Sequence, residues 1–218
     1  MTVIIAIDGP SASGKGTLSK GLARKLGFDN LDTGSLYRIL AYYALEAELA
    51  SNDAEKIVAL VPGIDFSQPK NLILTSDKVS KMASEIASQP KVREALNSMQ
   101  KNFPLGKAGV VIDGRDIGTV IFPDADCKFF ITADLGVRAE RRYKQLQSGR
   151  KDIIFDQVLQ SLKERDELDR NRAIAPTLPA DDAIIIDNSD LNADEVLQVV
   201  LEKTLETLKH KNININLF

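Results

Sequence analysis

The chain has 218 residues, 44% hydrophobic and 27% charged, with 28 Lys and Arg against 31 Asp and Glu and a formal net charge of −3. That length suits one domain with insertions, and the slight acidity excludes a global basic field for holding nucleic acid or an anionic membrane surface. A single cysteine, Cys127, excludes an internal disulfide, and a single histidine, His210, leaves neither a Ser–His pair nor a Cys/His metal cluster. No apolar run approaches the roughly 20 residues of a membrane span. The first residues enter a strand at once, without space for a signal peptide, so a cytoplasmic protein is expected.

Val3 to Ile7 is a β-branched apolar run, followed by Asp8 and the loop GPSASGKGT. Gly9, four residues, Gly14 and Lys15 have the spacing of a phosphate-binding P-loop, set between that strand and a helical stretch from Leu18 to Leu26. Glycines let backbone amides converge on one anion, the helix N-terminus adds partial positive charge, and the lysine adds a full one. ATP is therefore expected at Gly9, Pro10, Ser11, Ala12, Ser13, Gly14, Lys15, Gly16 and Thr17. Gly16 stands where a hydroxyl usually follows the lysine to meet Mg²⁺, and Thr17 comes one residue later. This GKGT form resembles nucleoside monophosphate kinases, and no guanine-reading Asn-Lys-x-Asp of the switch GTPases is present.

Further short strands are predicted at Asn30–Asp32, Gly109–Asp113, Lys128–Thr132 and Ala183–Asp187. Helical periodicity separates them at Leu36–Leu49, Val92–Phe103, Leu135–Gln147, Phe155–Arg172 and Asp194–Lys209. Alternating apolar strands and helices imply a parallel sheet covered on both faces. Ligands then gather at the carboxyl ends of the strands, where Asp8, Asp32, Asp113, Thr132 and Asp187 stand. Asn52 to Ser88 breaks the rhythm with a helix, a Pro62-Gly63 turn, a strand-like Asn71–Thr75 and a helical Val79–Ala87, and reads as an insertion. Ser148 to Asp152, with Arg150-Lys151, is either a solvated loop or a phosphate-covering lid. His210 is expected in a solvated tail beyond the last helix, and His210–Phe218 has no assigned structure.

Three stretches carry chemistry. In LDTGSLYR, Asp32 ends a strand, Gly34 permits a turn, and Tyr37-Arg38 open a helix; a sugar-phosphate site and an ordinary capped helix both fit. In GVVIDGRD, the apolar strand closes on Asp113 in the Walker-B manner, and Arg115 and Asp116 follow directly. In the helix from Phe155, residues Val158, Leu162, Arg165, Asp169 and Arg172 share one face that begins apolar and turns charged. Inward charges are costly unless paired or liganded, and the arginine fork matches phosphate oxygens, so Arg165 and Arg172 are assigned to a ligand. Lys163, Glu164, Asp166 and Glu167 read as a solvated charge network.

Together GPSASGKGT, LDTGSLYR, DGRDIGT and KERDELDRNRA resemble the bacterial cytidylate kinases across nearly the whole chain. The resemblance implies ATP-dependent phosphorylation of CMP and dCMP, with Lys15, Arg115, Arg165 and Arg172 as catalytic residues. It implies an acceptor phosphate held by Arg38, Arg115 and Arg172, with Arg165 nearby, and a sugar held by Tyr37 and Asp169. It implies further that cytosine is read by Ser84, Arg93 and Asp116, with Asp32 and Thr33 lining the same pocket. Mg²⁺ is expected at Thr17 and Asp113, largely through water. The expected fold is α/β: a P-loop three-layer domain spanning 1–218, its five-stranded parallel sheet in the order 2-3-1-4-5 with helices on both faces. A CMP-binding insertion at 52–91 and a lid region at 148–172 complete it. The sequence departs from the family at Asp65–Lys78, where a longer β-rich segment is usual. Expected partners are ATP and CMP or dCMP only, with no nucleic acid, no membrane and a monomeric chain. The rival readings are a small P-loop kinase for a metabolite such as shikimate, and an ATP-hydrolysing switch.

Overall fold

A computed structural model of the chain describes residues 2–66, 74, 76–147 and 153–215. The expected strand at Asn71–Thr75 (Leu74 apart) and the loop at Ser148–Asp152 lie outside the described residues. β1 (Val3–Asp8) is the centre of the sheet, because its residues are apolar in both directions: Ile5, Ala6 and Ile7 are wholly buried. It pairs in parallel with β3 (Gly109–Asp113) on one side and β4 (Cys127–Thr132) on the other. β2 (Asp29–Asp32) and β5 (Ile184–Asp187) add in parallel at the two edges, giving the expected order β2-β3-β1-β4-β5. Register brings Ile7 opposite Asp113, Asp32 opposite Asp113, and Thr132 opposite Asp187, so every strand delivers its last residue to one rim.

Strand alternation divides the core. Ile5 and Ile7 face α1 (Lys15–Leu26) and α8 (Ala193–His210), in a cluster with Leu22, Leu26, Phe129 and Val200. Ala6, Val110 and Ile112 pack in another cluster with Ile117 and Ile121 of a π-turn, Ile117–Ile121. α2 (Thr33–Glu46), α3 (Ala54–Leu60), α4 (Asp77–Ile86) and α5 (Pro90–Asn102) share a separate cluster built on Leu40, Ile57, Ile86 and Leu96. α3 and α4, the described helices of the insertion, therefore pack on α2 and α5. α6 (Leu135–Gln147) and α7 (Phe155–Asn171) form a hairpin whose buried apolar residues are Ala139, Val158 and Leu162.

Most elements begin within a residue or two of expectation; α1 begins three residues early, at Lys15 rather than Leu18, because the last P-loop residues already form its first turn, and other shifts have equally local causes. α2 starts at Thr33 instead of Leu36 because Asp32 caps it, its Oδ1 accepting from Ser35 N at 2.9 Å. DTGS is thus the helix's own beginning, and Gly34 serves close approach rather than a turn: a Cβ there would lie 3.0 Å from Arg38 Nη1 and 3.2 Å from Asp32 Oδ1. α5 starts at Pro90, a first-turn position where proline's missing N–H is harmless. His210 closes α8, exposed, and does not lie in a tail beyond it; Ile213 and Ile215 then pack back on the α1–α8 core. Among the described residues no helix is long and apolar enough to cross a membrane.

Candidate active site

The loop after β1 is shaped by one contact above all. Gly9 has φ 145, and a Cβ at that position would stand 2.0 Å from the Ile131 carbonyl oxygen, so only glycine passes beneath β4. Ala12 at φ 59 and Gly14 at φ 87 supply the left-handed turns from which an anion-binding nest is built. Gly14 caps α1 without a side-chain hydrogen bond, leaving the helix's first amides to face an anion. Lys15 is buried and curls over the loop, Nζ donating to Pro10 O at 2.7 Å and Ser13 Oγ at 3.3 Å. Burial and, after it, the Arg115 guanidinium hold its ammonium well below the ordinary lysine range. A Cβ at Gly16 would meet nothing within 4 Å, so no crowding enforces that glycine.

Asp113 ends β3 beside this loop. Ser19, one turn into α1, donates to its Oδ2 at 2.6 Å, and burial, followed by the nearby Asp32 carboxylate, raises its pKa to about 6. Thr33 Oγ1 donates to the Asp113 carbonyl at 2.8 Å, and Arg38 pairs with Asp32 at 2.8 Å. Thr17 is exposed and faces the same cavity as Asp113. Among the described residues no cluster of three or more His, Cys, Asp or Glu exists to encage a metal. One carboxylate and one hydroxyl beside a phosphate loop nevertheless match the sparse protein contribution that Mg²⁺ takes when phosphates and water complete its shell.

Beyond Asp113 the chain turns under a clamp absent from the sequence reading. Asp8, buried at the end of β1, accepts from Ile117 N at 2.9 Å and Gly118 N at 2.7 Å, tying the π-turn to the start of the P-loop. Burial raises its pKa to about 6. The turn places Arg115 and Asp116 on the rim. Asp116 forms a buried ion pair with Arg93 of α5 and lies 3.6 Å from Arg172 Nη2; burial raises its pKa against the pull of these guanidiniums. Asp169 accepts from Ser84 Oγ at 3.1 Å and from Arg115 Nε at 3.0 Å. Burial pushes that carboxyl up, but Arg115, Arg165 and Arg172 outweigh it and leave the pKa lowered.

The α7 stripe faces inward as its spacing requires: Val158, Leu162 and Asp169 are buried, and Arg165 and Arg172 line the cavity. Arg172 sits just past the helix as its C-cap rather than within it, its Nε donating to Ala175 O. Asp166 corrects the solvated-network reading. It is partly buried and receives Arg138 Nη1 at 2.6 Å, because α6 covers that side of α7.

These groups enclose a cavity of about 370 Å³. Of the residues assigned from sequence to ATP, acceptor, metal or catalysis, all but Gly9 and Pro10 line it, from Ser11–Thr17 on one wall through Asp32, Thr33, Tyr37, Arg38, Asp113, Arg115 and Asp116 to Ser84, Arg93, Arg165, Asp169 and Arg172; the strand-end residues Asp8, Thr132 and Asp187 do not. A second cavity of about 500 Å³ lies on the other side of the P-loop, between Ala12, Gly14 and Thr17, the α6 residues Arg141 and Arg142, and Leu191 and Val196. Asn188 fastens its floor, donating to Ser13 O at 2.9 Å while accepting from Arg141 Nη1 at 2.8 Å. Ser19, Arg138, Arg141 and Asn188 carried no sequence signal beyond their polarity, and Asp8 was legible as a strand end but not as a clamp, since each acts through contacts remote in the chain.

A P-loop beside an arginine-rimmed cavity at the carboxyl edge of a parallel sheet defines a phosphotransferase of the P-loop kinase class. The chain belongs to the cytidylate kinase family, whose family model matches residues 5–206. Relatives described as cytidylate kinase include that of Paramagnetospirillum magneticum, 46% identical over 92% of this chain and 97% of its own. The Aeromonas hydrophila protein is 44% identical over 92% and 93%, and that of Rhodospirillum rubrum 42% identical over 96% and 99%. A gluconokinase structure from Sinorhizobium meliloti superposes with a TM-score of 0.54 at 13% identity, covering 96% of this chain and 95% of its own, a likeness of fold alone.

Proposed function

We propose that the protein transfers the terminal phosphoryl group of ATP to CMP and dCMP, yielding CDP and dCDP. The observation that carries this reading is the buried set Ser84, Arg93 and Asp116 at the end of the arginine-lined cavity. A carboxylate accepts from the exocyclic amine of cytosine, whereas the uracil carbonyl at that position meets it with repulsion. Arg93 and Ser84 are donors to the ring's acceptors. Arg38, Arg115 and Arg172 take the acceptor's phosphate, Tyr37 and Asp169 its sugar, and Asp32 and Thr33 complete the wall. ATP binds along Gly9–Thr17, with its base in the cavity between Arg141 and Val196.

Mg²⁺ is assigned to Thr17 and Asp113, where it would neutralise charge on the donor's phosphates. The acceptor phosphate has a second pKa of about 6, so it reaches the site already ionised and needs no general base. The obstacle is to bring two anions together and to neutralise charge spreading over the transferring group. Lys15, the loop amides, Arg115, Arg165 and Arg172 supply fixed positive charge for that purpose. We assign residues 52–91 to acceptor binding and 148–172 to a lid whose closure excludes water. One chain furnishes both cavities, so a monomer suffices. The nucleotides it takes belong to the cytoplasm, and that is the compartment we assign, with neither nucleic acid nor membrane taking part. A coupled assay with CMP, dCMP, UMP and AMP tests the reading: CMP and dCMP should lead, UMP should be poor and AMP nearly inert. AMP or shikimate as the best acceptor refutes it.

A further inference from the structure

Arg138 takes no part in the roles above, yet it is among the most deliberately placed charges in the molecule. It stands in the first turn of α6 with its side chain 8% exposed. Nε donates to Ala133 O at 2.9 Å, and Nη1 donates both to Ser11 O at 3.2 Å and to Asp166 Oδ2 at 2.6 Å. One guanidinium therefore touches the end of β4, the donor loop and α7. Neither Arg138 nor Asp166 lines the acceptor or the donor cavity.

Stability does not account for this arrangement. Buried ion pairs commonly contribute less than apolar residues of the same volume, and here Asp166 Oδ1 is buried without a hydrogen-bond partner. Position accounts for it better. The apolar anchors of α7, Val158 and Leu162, lie in its first half. Its second half carries Arg165 and Asp169, and there the tie from Asp166 to α6 is ionic. Asp166 directly follows Arg165, so whatever fixes one carboxylate fixes the neighbouring guanidinium. An arginine is needed because a planar fork with five donors can reach several acceptors at once, which an ammonium on a flexible stem cannot do.

We propose that Arg138 is a positioning residue: gripping the Ser11 carbonyl and the Asp166 carboxylate together, it sets the distance between the donor loop and Arg165. The proposal rests on the phosphoryl-transfer reading of the site but not on the identity of the acceptor. Misplacement of reacting groups by about 1 Å can cost a factor of about 100 in rate. Arg138→Lys, Asp166→Asn and the double variant, assayed with ATP and CMP alongside thermal melts, test it. Each single variant should lose about 10- to 100-fold in kcat, with both KM values within about threefold. The double variant should be no slower than the worse single one, because the two residues act through one contact. Asp166→Asn preserves shape, so it reports even if Arg138→Lys folds poorly. The proposal is overturned if kcat of Asp166→Asn stays within twofold of wild type, if the loss lies in KM alone, or if the losses multiply in the double variant. If the wild type prefers another acceptor, the same variants are scored with that acceptor; the reading of the base then fails while this one is still decided.

Discussion

Replacing Arg165 by methionine should stabilise the fold and disable the enzyme. The guanidinium lies on the inward face of α7, its Nε buried without a hydrogen-bond partner. Burial, and then the like charge of Arg115, lower its pKa from 12.5 to about 10, with the Asp169 carboxylate pulling the other way. At about 1.36 kcal/mol per pKa unit, that displacement means the charged side chain costs the folded chain about 3 kcal/mol. The sign follows from linkage. A base with a depressed pKa stays protonated at pH 7 in both states, so the cost is present at every pH below about 10 and is relieved only above it. Methionine keeps the length and removes the charge, while Asp169 loses one attraction, leaving a net gain of about 1–2 kcal/mol. At about 2–4 °C per kcal/mol for a chain of this size, Tm should rise by about 2–8 °C in melts without nucleotide. Turnover should fall by about 10²–10³, the usual loss for one donor aimed at developing charge. A lowered Tm, or turnover within tenfold of wild type, would refute the view that Arg165 is held under strain for catalysis.

Lys15→Ala should abolish turnover while CMP affinity, read by calorimetry, stays within a few-fold; an equal loss of CMP binding would mean that the acceptor site is misassigned. Arg172→Ala should weaken both turnover and CMP binding with Tm reduced by only a few degrees, whereas a collapse in Tm would make that residue structural. Asp8 binds its proton more tightly in the folded chain, with a pKa of about 6 against 3.8. Stability should therefore fall as pH rises from about 4 to 6 and level off above, and Asp113 is displaced in the same direction. Asp8→Asn should remove about 3 kcal/mol of that fall, at about 1.36 kcal/mol per pKa unit; denaturant titrations at pH 4 and 6.5 measure it, and an unchanged difference contradicts it.

The sheet was legible because β1 and β3 are apolar on both faces, as the strands of a parallel sheet covered by helices on each side are. The α7 stripe was legible because a period of 3.6 carried its apolar residues and its arginines to one side. Asp166 was not, because no periodicity within α7 reveals that α6 will cover its outer flank. The start of α2 was misplaced for a related reason: DTGS reads as a turn until Asp32 is seen to cap it and Gly34 to make room for Arg38. The clamps escaped entirely. Ser19 meets Asp113 across 94 residues, Asp8 meets Ile117 across 109, and Arg138 meets Ser11 across 127. Such contacts leave no local pattern. Ser84, in contrast, was found through the family resemblance, and the structure joins it to Asp169 across 85 residues.

Everything in the site turns on a second nucleotide, recognised by its cytosine, meeting ATP across the arginine rim. The most direct test is ATP consumption by the wild-type protein with and without CMP, with UMP as control. ATP alone should be consumed slowly, with a rise of at least a hundredfold on adding CMP and only a small rise with UMP. Consumption indifferent to CMP would contradict it.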